Sequence, residues 1–326
     1  MRRETFPWSA EKMREYMAPY RETTAVKGNY LSRFFVWLIT AIVLRLSWEG
    51  SYAFGRRVGL LLYWLKIRRP VARVNLDIAF GDTKTAAEKD EIYKQSLINL
   101  CRQVLNYLRV PLMDEAFWRD NFELVDEERI HEAYSRGKGV IFLGAHIGAW
   151  DFSAGRLGTS GYPISIIAKR ISNPVMDRLI VDARSGMNFG TIAHKESMQA
   201  VLDTLASGAA VGMTVDQNMK KKQGVFVEWL GKQASTVRSV AWVAKTTGAP
   251  VFASWSYPTG PGKFKTEVLE EIVWKSLPDD PEEELRVNTR NLLVQYEKII
   301  RDQPHFYHWI HRRYKRQPEG SPNPYH

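Results

Sequence analysis

A histidine and an aspartate separated by four residues, His146 and Asp151, are the side chains in this sequence best suited to acid–base chemistry. They follow an apolar run at 139–143 that predicts a buried strand, and they stand where the next helix should begin. The carboxyl ends of such strands line the crevice of an α/β sheet. If Asp151 accepts the Nδ1 proton of His146, Nε2 can take a proton from a substrate hydroxyl. A structural histidine that caps the helix is the alternative, and spacing alone leaves both open.

Two further predicted strands are followed by polar residues. The first precedes Lys169 and Arg170, with Asn173 as a good N-cap for the next helix. The second precedes Asp216 and Gln217. Asp216 can orient a hydroxyl, pair with an arginine or form an Asx-turn. For Lys169 and Arg170, the alternative to a functional role is a solvated strand end.

Aromatic and basic side chains alternate near the carboxyl terminus, over 304–316. Arg312, Arg313 and Lys315 provide the positive charge at the end of this segment. Such a segment can stack on nucleobases or bind phosphorylated headgroups.

The elements that must position these residues are strands and helices in alternation. A periodic apolar pattern over 86–109 predicts a helix. Short apolar runs predict strands at 122–125, 140–143, 164–168, 209–214 and 251–255. This alternation predicts an α/β fold with a mainly parallel central sheet flanked by helices.

The charge balance of the chain, 46 Lys and Arg against 36 Asp and Glu, gives a net charge of +10. Such a chain favours an acidic partner, namely nucleic acid, an anionic membrane or an acidic protein. The sequence contains no recognised RNA- or DNA-binding signature, so we expect no nucleic acid partner. The single cysteine, Cys101, excludes an intrachain disulfide and is expected in the core.

Two apolar segments near the amino terminus favour a membrane surface. The run between Arg33 and Arg45 is shorter than the roughly 20 residues that a spanning helix needs. A second run at 59–65 is followed by basic residues, and Trp48 and Trp64 lie near the ends of the two runs. Such helices suit the membrane interface, although a buried helical hairpin would also explain them. No cleavable signal is evident, which predicts a location on the cytoplasmic face.

These patterns divide the chain into three parts. Residues 1–69 are predicted to form a helical membrane-association region, residues 70–320 the α/β domain with the candidate site, and residues 321–326 a flexible tail.

A metal-dependent hydrolase could use His146, Asp151, Asp216 and His194. Because no His-Glu-x-x-His, His-x-His or paired-cysteine motif is present, neither a metal nor another cofactor is expected.

Taken in order, four segments resemble the lipid A biosynthesis late acyltransferases, the lauroyl and myristoyl transferases of the lysophospholipid acyltransferase group. The matching segments are 146–151, 170–174, 216–218, and 309–315 together with 318–320. The resemblance implies transfer of a fatty acyl chain from acyl carrier protein to a hydroxyl of a 3-hydroxyacyl chain on a membrane glycolipid. It also implies that residues 70–320 form an acyltransferase domain, and that the protein lies on the cytoplasmic face of the bacterial inner membrane. Many lipid A members of the family carry glutamate at the acidic position. This chain has aspartate there, Asp151, as glycerolipid acyltransferases do.

The resemblance also implies roles for individual residues. His146 would deprotonate the acceptor with Asp151 as its orienting partner, and Arg170 would stabilise the oxyanion. Backbone amides near Gly148 are the alternative oxyanion donors. The residues expected to contact the donor or the lipid are Lys169, Asn173, Asp216, Gln217, Arg312, Arg313 and Lys315.

Three alternatives remain open at this stage. The acceptor could be a lysophospholipid or another glycolipid such as a phosphatidylinositol mannoside. The donor could be acyl-coenzyme A, which is as acidic as the carrier protein. A nonenzymatic protein that binds anionic membranes or nucleic acid would also explain the charge, but it would leave His146 and Asp151 unexplained.

Overall fold

The computed structural model describes residues 9, 11, 15, 30–193 and 197–325 of the chain. Its α-helices are α1 (Tyr30–Arg45), α2 (Trp48–Trp64), α3 (Arg69–Phe80), α4 (Ala86–Arg109), α5 (Glu115–Asn121), α6 (Glu127–Ser135), α7 (Trp150–Thr159), α8 (Pro174–Gly186), α9 (Ser197–Ala206), α10 (Ser239–Thr247) and α11 (Pro281–Asp302). Its strands are β1 (Phe122–Val125), β2 (Val140–Gly144), β3 (Ile164–Ala168), β4 (Gly190–Ala193), β5 (Ala210–Thr214), β6 (Gly224–Trp229), β7 (Lys232–Val237), β8 (Val251–Gly260) and β9 (Lys263–Glu271).

A seven-stranded sheet forms the centre of the fold, in the order β1-β9-β8-β2-β5-β3-β4. Its pairs are parallel except for β8 and β9, which run antiparallel. The predicted mainly parallel α/β sheet is therefore confirmed. The sequence pattern missed β4, β9 and a separate antiparallel hairpin of β6 and β7.

The central strand β2 is buried on both faces, which explains its unbroken apolar sequence. Ile141 and Leu143 belong to the core on one side of the sheet, and Val140 and Phe142 belong to the core on the other side. Helices cover both faces, so that chemistry at this sheet is expected at its edges and strand ends.

Strands β2 and β5 create a crevice where they end side by side. Their register pairs Gly144 with Thr214, the last residue of each strand. The chain then leaves β2 for α7, which packs on one face of the sheet, and leaves β5 for the β6–β7 hairpin and α10, which pack on the other face. Diverging connections of this kind open the cleft in which α/β proteins bind ligands.

The long helix α4 carries the amino-terminal helices. The predicted boundaries, 86–109, are confirmed, and Thr85 and Glu88 form a capping box at its start. Helix α2 packs closely against it because Gly59 has no side chain, and a Cβ there would collide with the backbone of Ile98. Cys101 is buried on α4, where burial raises the pKa of its thiol to about 11.

The outer surfaces of α1 and α2 expose large apolar side chains, among them Phe34, Phe35 and Trp64. Within the part of the chain that the structure describes, no helix has the length and apolar character needed to cross a membrane. At the other terminus, where the sequence predicts a flexible tail, the Tyr325 hydroxyl donates to Asn75 Oδ1 at 2.5 Å and accepts from the Tyr314 amide at 3.0 Å.

Candidate active site

The loop that carries His146 is clamped between β8 and the carboxyl-terminal segment. Gly148 has φ +59°, and a Cβ there would collide with the Ser256 carbonyl oxygen, so only glycine fits this turn. The Gly148 amide donates to Phe306 O at 3.0 Å, and the Ala149 amide donates to Ser256 O at 2.7 Å. These two amides, expected as alternative oxyanion donors, already have acceptors, and that expectation is corrected.

The carboxylate that binds the His146 ring is Asp216. Its Oδ1 lies 2.9 Å from His146 Nδ1, and its Oδ2 accepts the His146 backbone N–H at 2.9 Å. The pairing follows from the sheet, because both residues stand two positions beyond the matched strand ends Gly144 and Thr214. Both oxygens are used, so Asp216 fixes the position and the orientation of the imidazole.

The electrostatics of this pair suit a general base. Burial alone would raise the pKa of Asp216, but the neighbouring His146 outweighs it and holds that pKa well below its usual range. Burial likewise disfavours the charged imidazole, but the Asp216 carboxylate outweighs this, so the pKa of His146 is raised. An ionised Asp216 accepts the proton on Nδ1, which leaves the lone pair of a neutral His146 on Nε2.

Asp151, expected to orient His146, pairs with a different residue. Its Oδ2 accepts from Arg184 Nε on α8 at 2.7 Å, and its side chain is 7% exposed. Burial and the nearby Asp151 carboxylate raise the pKa of the Tyr107 hydroxyl on α4. The predicted contact between Asp151 and His146 Nδ1 is therefore corrected: Asp216 occupies that nitrogen, and Asp151 acts on His146 only as a nearby negative charge.

The residues that follow β3 lie at the surface. Arg170 is 71% exposed, and its Nε lies 3.0 Å from Asp177 Oδ2. Lys169 is also exposed. Asn173 caps α8, since its Oδ1 accepts from the Val175 amide at 3.0 Å, which confirms the predicted helix start. No hydrogen bond joins any of the three to His146 in the residues described.

The three basic residues near the carboxyl terminus separate into two kinds. Arg312 and Lys315 are exposed. Arg313 is only 2% exposed, and its guanidinium donates to Gln217 O at 3.1 Å and Ser235 O at 2.7 Å. The expectation that Arg313 meets the donor or the lipid is therefore corrected, because its donors face the backbone beside Asp216.

The aromatic and basic segment at 304–316 lies closer to His146 than the sequence suggested. The His308 amide donates to His146 O at 3.0 Å, and the rings of Trp150 and His308 lie 5.5 and 6.4 Å from the His146 ring. Burial lowers the pKa of His308 and His311 to about 4. Sequence reasoning missed these neighbours, since only the fold brings 308 to 146.

An apolar cavity of about 660 Å³ opens between α1, α4 and α8. Its lining is mainly apolar, with Val36, Trp37, Val110 and Ala183, and it also includes Thr40 and Tyr107. The Asp151 carboxylate lies near the Tyr107 hydroxyl and, together with burial, raises its pKa. The size lies in the range of pockets that bind small molecules.

The remaining sequence hypothesis concerned a metal. Within 30–193 and 197–325 no group of three or more His, Cys, Asp or Glu residues is arranged to hold a metal ion. His194, one of the residues considered, lies outside the described residues.

The fold and the site together define an α/β protein with a paired histidine and carboxylate at the carboxyl edge of its sheet. The family profile described as bacterial lipid A biosynthesis acyltransferase matches residues 21–316. The chain therefore belongs to this family and is an acyltransferase, as the sequence resemblance predicted.

Individual relatives agree with this assignment. A lipid A biosynthesis acyltransferase of Haemophilus influenzae is 23% identical over 90% of this chain and 89% of its own length. The lipid A biosynthesis lauroyltransferase of Escherichia coli is 24% identical over 87% of this chain and 91% of its own. A phosphatidylinositol mannoside acyltransferase of Mycolicibacterium smegmatis is 21% identical over 60% of this chain and 64% of its own.

Proposed function

We propose that the protein transfers a fatty acyl chain from acyl carrier protein to a hydroxyl of a 3-hydroxyacyl chain on a lipid A precursor. The observation that carries the proposed mechanism is the contact between His146 Nδ1 and Asp216, which keeps the proton on Nδ1 and leaves the basic lone pair on Nε2. Family membership supports the substrate class. The basic surface, with Arg312 and Lys315 exposed, supports an acidic donor.

In the proposed reaction, Nε2 of His146 takes the proton of the lipid hydroxyl as its oxygen attacks the thioester carbonyl. The C–S bond then breaks, and the departing thiolate receives that proton from the imidazolium. The products are an ester and a free thiol. Asp216 stabilises the imidazolium, so no acyl-enzyme is required.

Arg170 is the proposed cation for the oxyanion, although it must first leave Asp177. An ion pair this exposed contributes about 0–1 kcal/mol, so its release costs little. A preorganised donor at the oxyanion contributes on the order of 3 kcal/mol. Lys169, which stands beside Arg170 at the same strand end, is proposed to contact the phosphorylated groups of the substrates.

Asp151 has a positioning role in this proposal. Its pair with Arg184 ties the start of α7 to α8. Because α7 begins four residues after His146, this contact holds the loop that carries the base.

The apolar cavity between α1, α4 and α8 is proposed to hold an acyl chain. Thr40 lines it from α1, and Ile39 is 41% exposed on the same helix without lining it.

Thr40→Phe is expected to shorten the preferred acyl chain, because the larger ring fills part of the cavity. The measurement is the product distribution from a mixture of acyl carrier protein thioesters of different chain length. Ile39→Phe, the matched control, should leave the distribution unchanged. An unchanged distribution in Thr40→Phe would place the acyl chain elsewhere.

The exposed apolar surface of α1 and α2 is proposed to rest on the cytoplasmic face of the inner membrane. Phe34, Phe35 and Trp37 on α1 are 53, 51 and 64% exposed, and Leu61 and Trp64 on α2 are 52 and 75% exposed. Contiguous apolar surface of this kind marks a membrane or partner site. This arrangement supports the proposed division into a membrane-association region at 1–69 and an acyltransferase domain at 70–320.

The double variant Phe34→Ser, Phe35→Ser should bind anionic vesicles at least about tenfold more weakly, since burial of one such ring contributes roughly 1.5–3 kcal/mol. Cosedimentation with vesicles measures this. Trp242→Ser removes a ring that is 42% exposed on α10 and should bind as the natural protein does. Equal binding by all three proteins would show that the membrane contact does not lie on α1.

The acceptor is tested by competition. Purified protein receives acyl carrier protein thioester together with a tetra-acylated lipid A precursor, a lysophospholipid and a phosphatidylinositol mannoside, and the lipids are analysed by mass spectrometry. We expect the gain of one acyl chain on the lipid A precursor. Gain on the mannoside alone would instead favour the activity named for the Mycolicibacterium smegmatis relative.

A further inference from the structure

Gln217 is hydrogen-bonded to Nε2 of His146, the nitrogen that acts as the base in the proposed reaction. Its side-chain Nε2 lies 3.0 Å from His146 Nε2. Because the ionised Asp216 accepts the proton on Nδ1, His146 Nε2 carries a lone pair, and the Gln217 amide is the donor. The base is therefore already hydrogen-bonded before any substrate arrives.

The Gln217 side chain can leave without disturbing the base. Its backbone carbonyl is held by buried Arg313 at 3.1 Å, and the next amide, that of Asn218, donates to His311 Nε2 at 3.3 Å. The side chain itself is exposed. A rotation about its own bonds frees His146 Nε2 while Asp216 stays in place.

We propose that Gln217 is a selectivity residue, which holds His146 Nε2 until a lipid hydroxyl displaces it and thereby suppresses hydrolysis of the donor thioester. This inference rests on the proposed acyl transfer. The lipid brings its hydroxyl with the binding energy of its acyl chains, whereas a water molecule brings none. The Gln217 amide can therefore compete with water for His146 Nε2 and still be displaced by the hydroxyl of the lipid.

The suppressed reaction is the same chemistry with water as the nucleophile. Water gives a proton to His146 Nε2, its oxygen attacks the thioester carbonyl, and the C–S bond breaks. The thiolate takes the proton back, which leaves a free fatty acid and a free thiol. Removal of the amide should therefore raise hydrolysis more than transfer.

The test replaces Gln217 by methionine, which keeps the length of the side chain and removes the donor. Without acceptor, Gln217→Met should hydrolyse acyl carrier protein thioester about five- to tenfold faster than the natural protein, as loss of one hydrogen bond predicts. The ratio of transfer to hydrolysis should fall. Gln223→Met, an exposed glutamine on the same loop, is the matched control and should match the natural protein.

The pKa of His146 provides a second test that does not depend on catalysis. The Gln217 amide stabilises neutral His146, so the pKa of His146 should rise in Gln217→Met, measured by NMR of labelled histidine with His146→Ala assigning the signal. Unchanged hydrolysis, equal loss of hydrolysis and transfer, or an unchanged His146 pKa would each overturn the proposal. Absence of acylated lipid from the natural protein would instead overturn the proposed function, while the pKa still reports on the hydrogen bond.

Discussion

His146→Ala is expected to lower acyl transfer by about 10²–10⁴-fold, the contribution of a positioned general base. The imidazole is fixed at both nitrogens, by Asp216 on Nδ1 and Gln217 on Nε2, and the described structure shows no other imidazole bonded to Asp216. Loss of the ring leaves the lipid hydroxyl without a proton acceptor. The initial rate of acyl transfer under saturating substrates measures the effect.

The control is His131→Ala, which removes an exposed histidine on α6 and should leave the rate unchanged. Thermal unfolding of both variants shows whether the fold is intact. A His146→Ala protein that folds and transfers at the natural rate would remove His146 from the mechanism.

Asp216→Asn is expected to reduce transfer by up to about 10⁴-fold with little change in stability. The carbonyl oxygen of the substituted side chain can still accept the His146 backbone N–H, while its NH₂ group donates to Nδ1 and moves the ring proton to Nε2. Nε2 of His146 then has no lone pair to take the proton of the lipid hydroxyl. The initial rate of transfer measures the loss, and Asp203→Asn, an exposed change on α9, is the control.

Asp151→Asn should act differently, through stability. It leaves Arg184, whose side chain is 15% exposed, without its carboxylate, and breaking such a buried pair costs about 3–5 kcal/mol. The double variant Asp151→Asn, Arg184→Gln should recover part of that loss. If Asp151→Asn lost more activity than Asp216→Asn while staying folded, the assignment of Asp216 as the orienting partner would be wrong.

The comparison of Asp151 with Asp216 shows what the sequence patterns could predict and what they could not. The apolar runs predicted β2 and β5 because buried parallel strands need such runs, and polar residues at their ends marked the site. Spacing favoured Asp151 as the partner of His146, since it is near in sequence. The correct partner required the strand order, because only the pairing of Gly144 with Thr214 brings 146 and 216 together.

Other differences between the sequence predictions and the structure also arise because burial and pairing depend on the whole fold. Arg313 belongs to the same basic segment as Arg312, and composition cannot show that one is buried against Gln217 and the other exposed. Strand β9 was missed because it has no unbroken apolar run; its charged residues alternate with apolar ones, as in a strand buried on one face only. Local patterns predicted helix caps such as Asn173 correctly, since capping depends on a few neighbouring residues.

In the proposed reaction an acyl chain passes directly from the donor thioester to a lipid A precursor, with His146 as the base. A single-turnover reaction with acyl carrier protein thioester and the tetra-acylated precursor, followed by mass spectrometry of lipid and protein together, tests this proposal. We expect the lipid to gain one acyl chain while the protein mass stays constant, and His146→Ala to show at most a trace of that gain over the same time and no adduct. An acylated protein intermediate, or no gain on the precursor, would overturn the proposal.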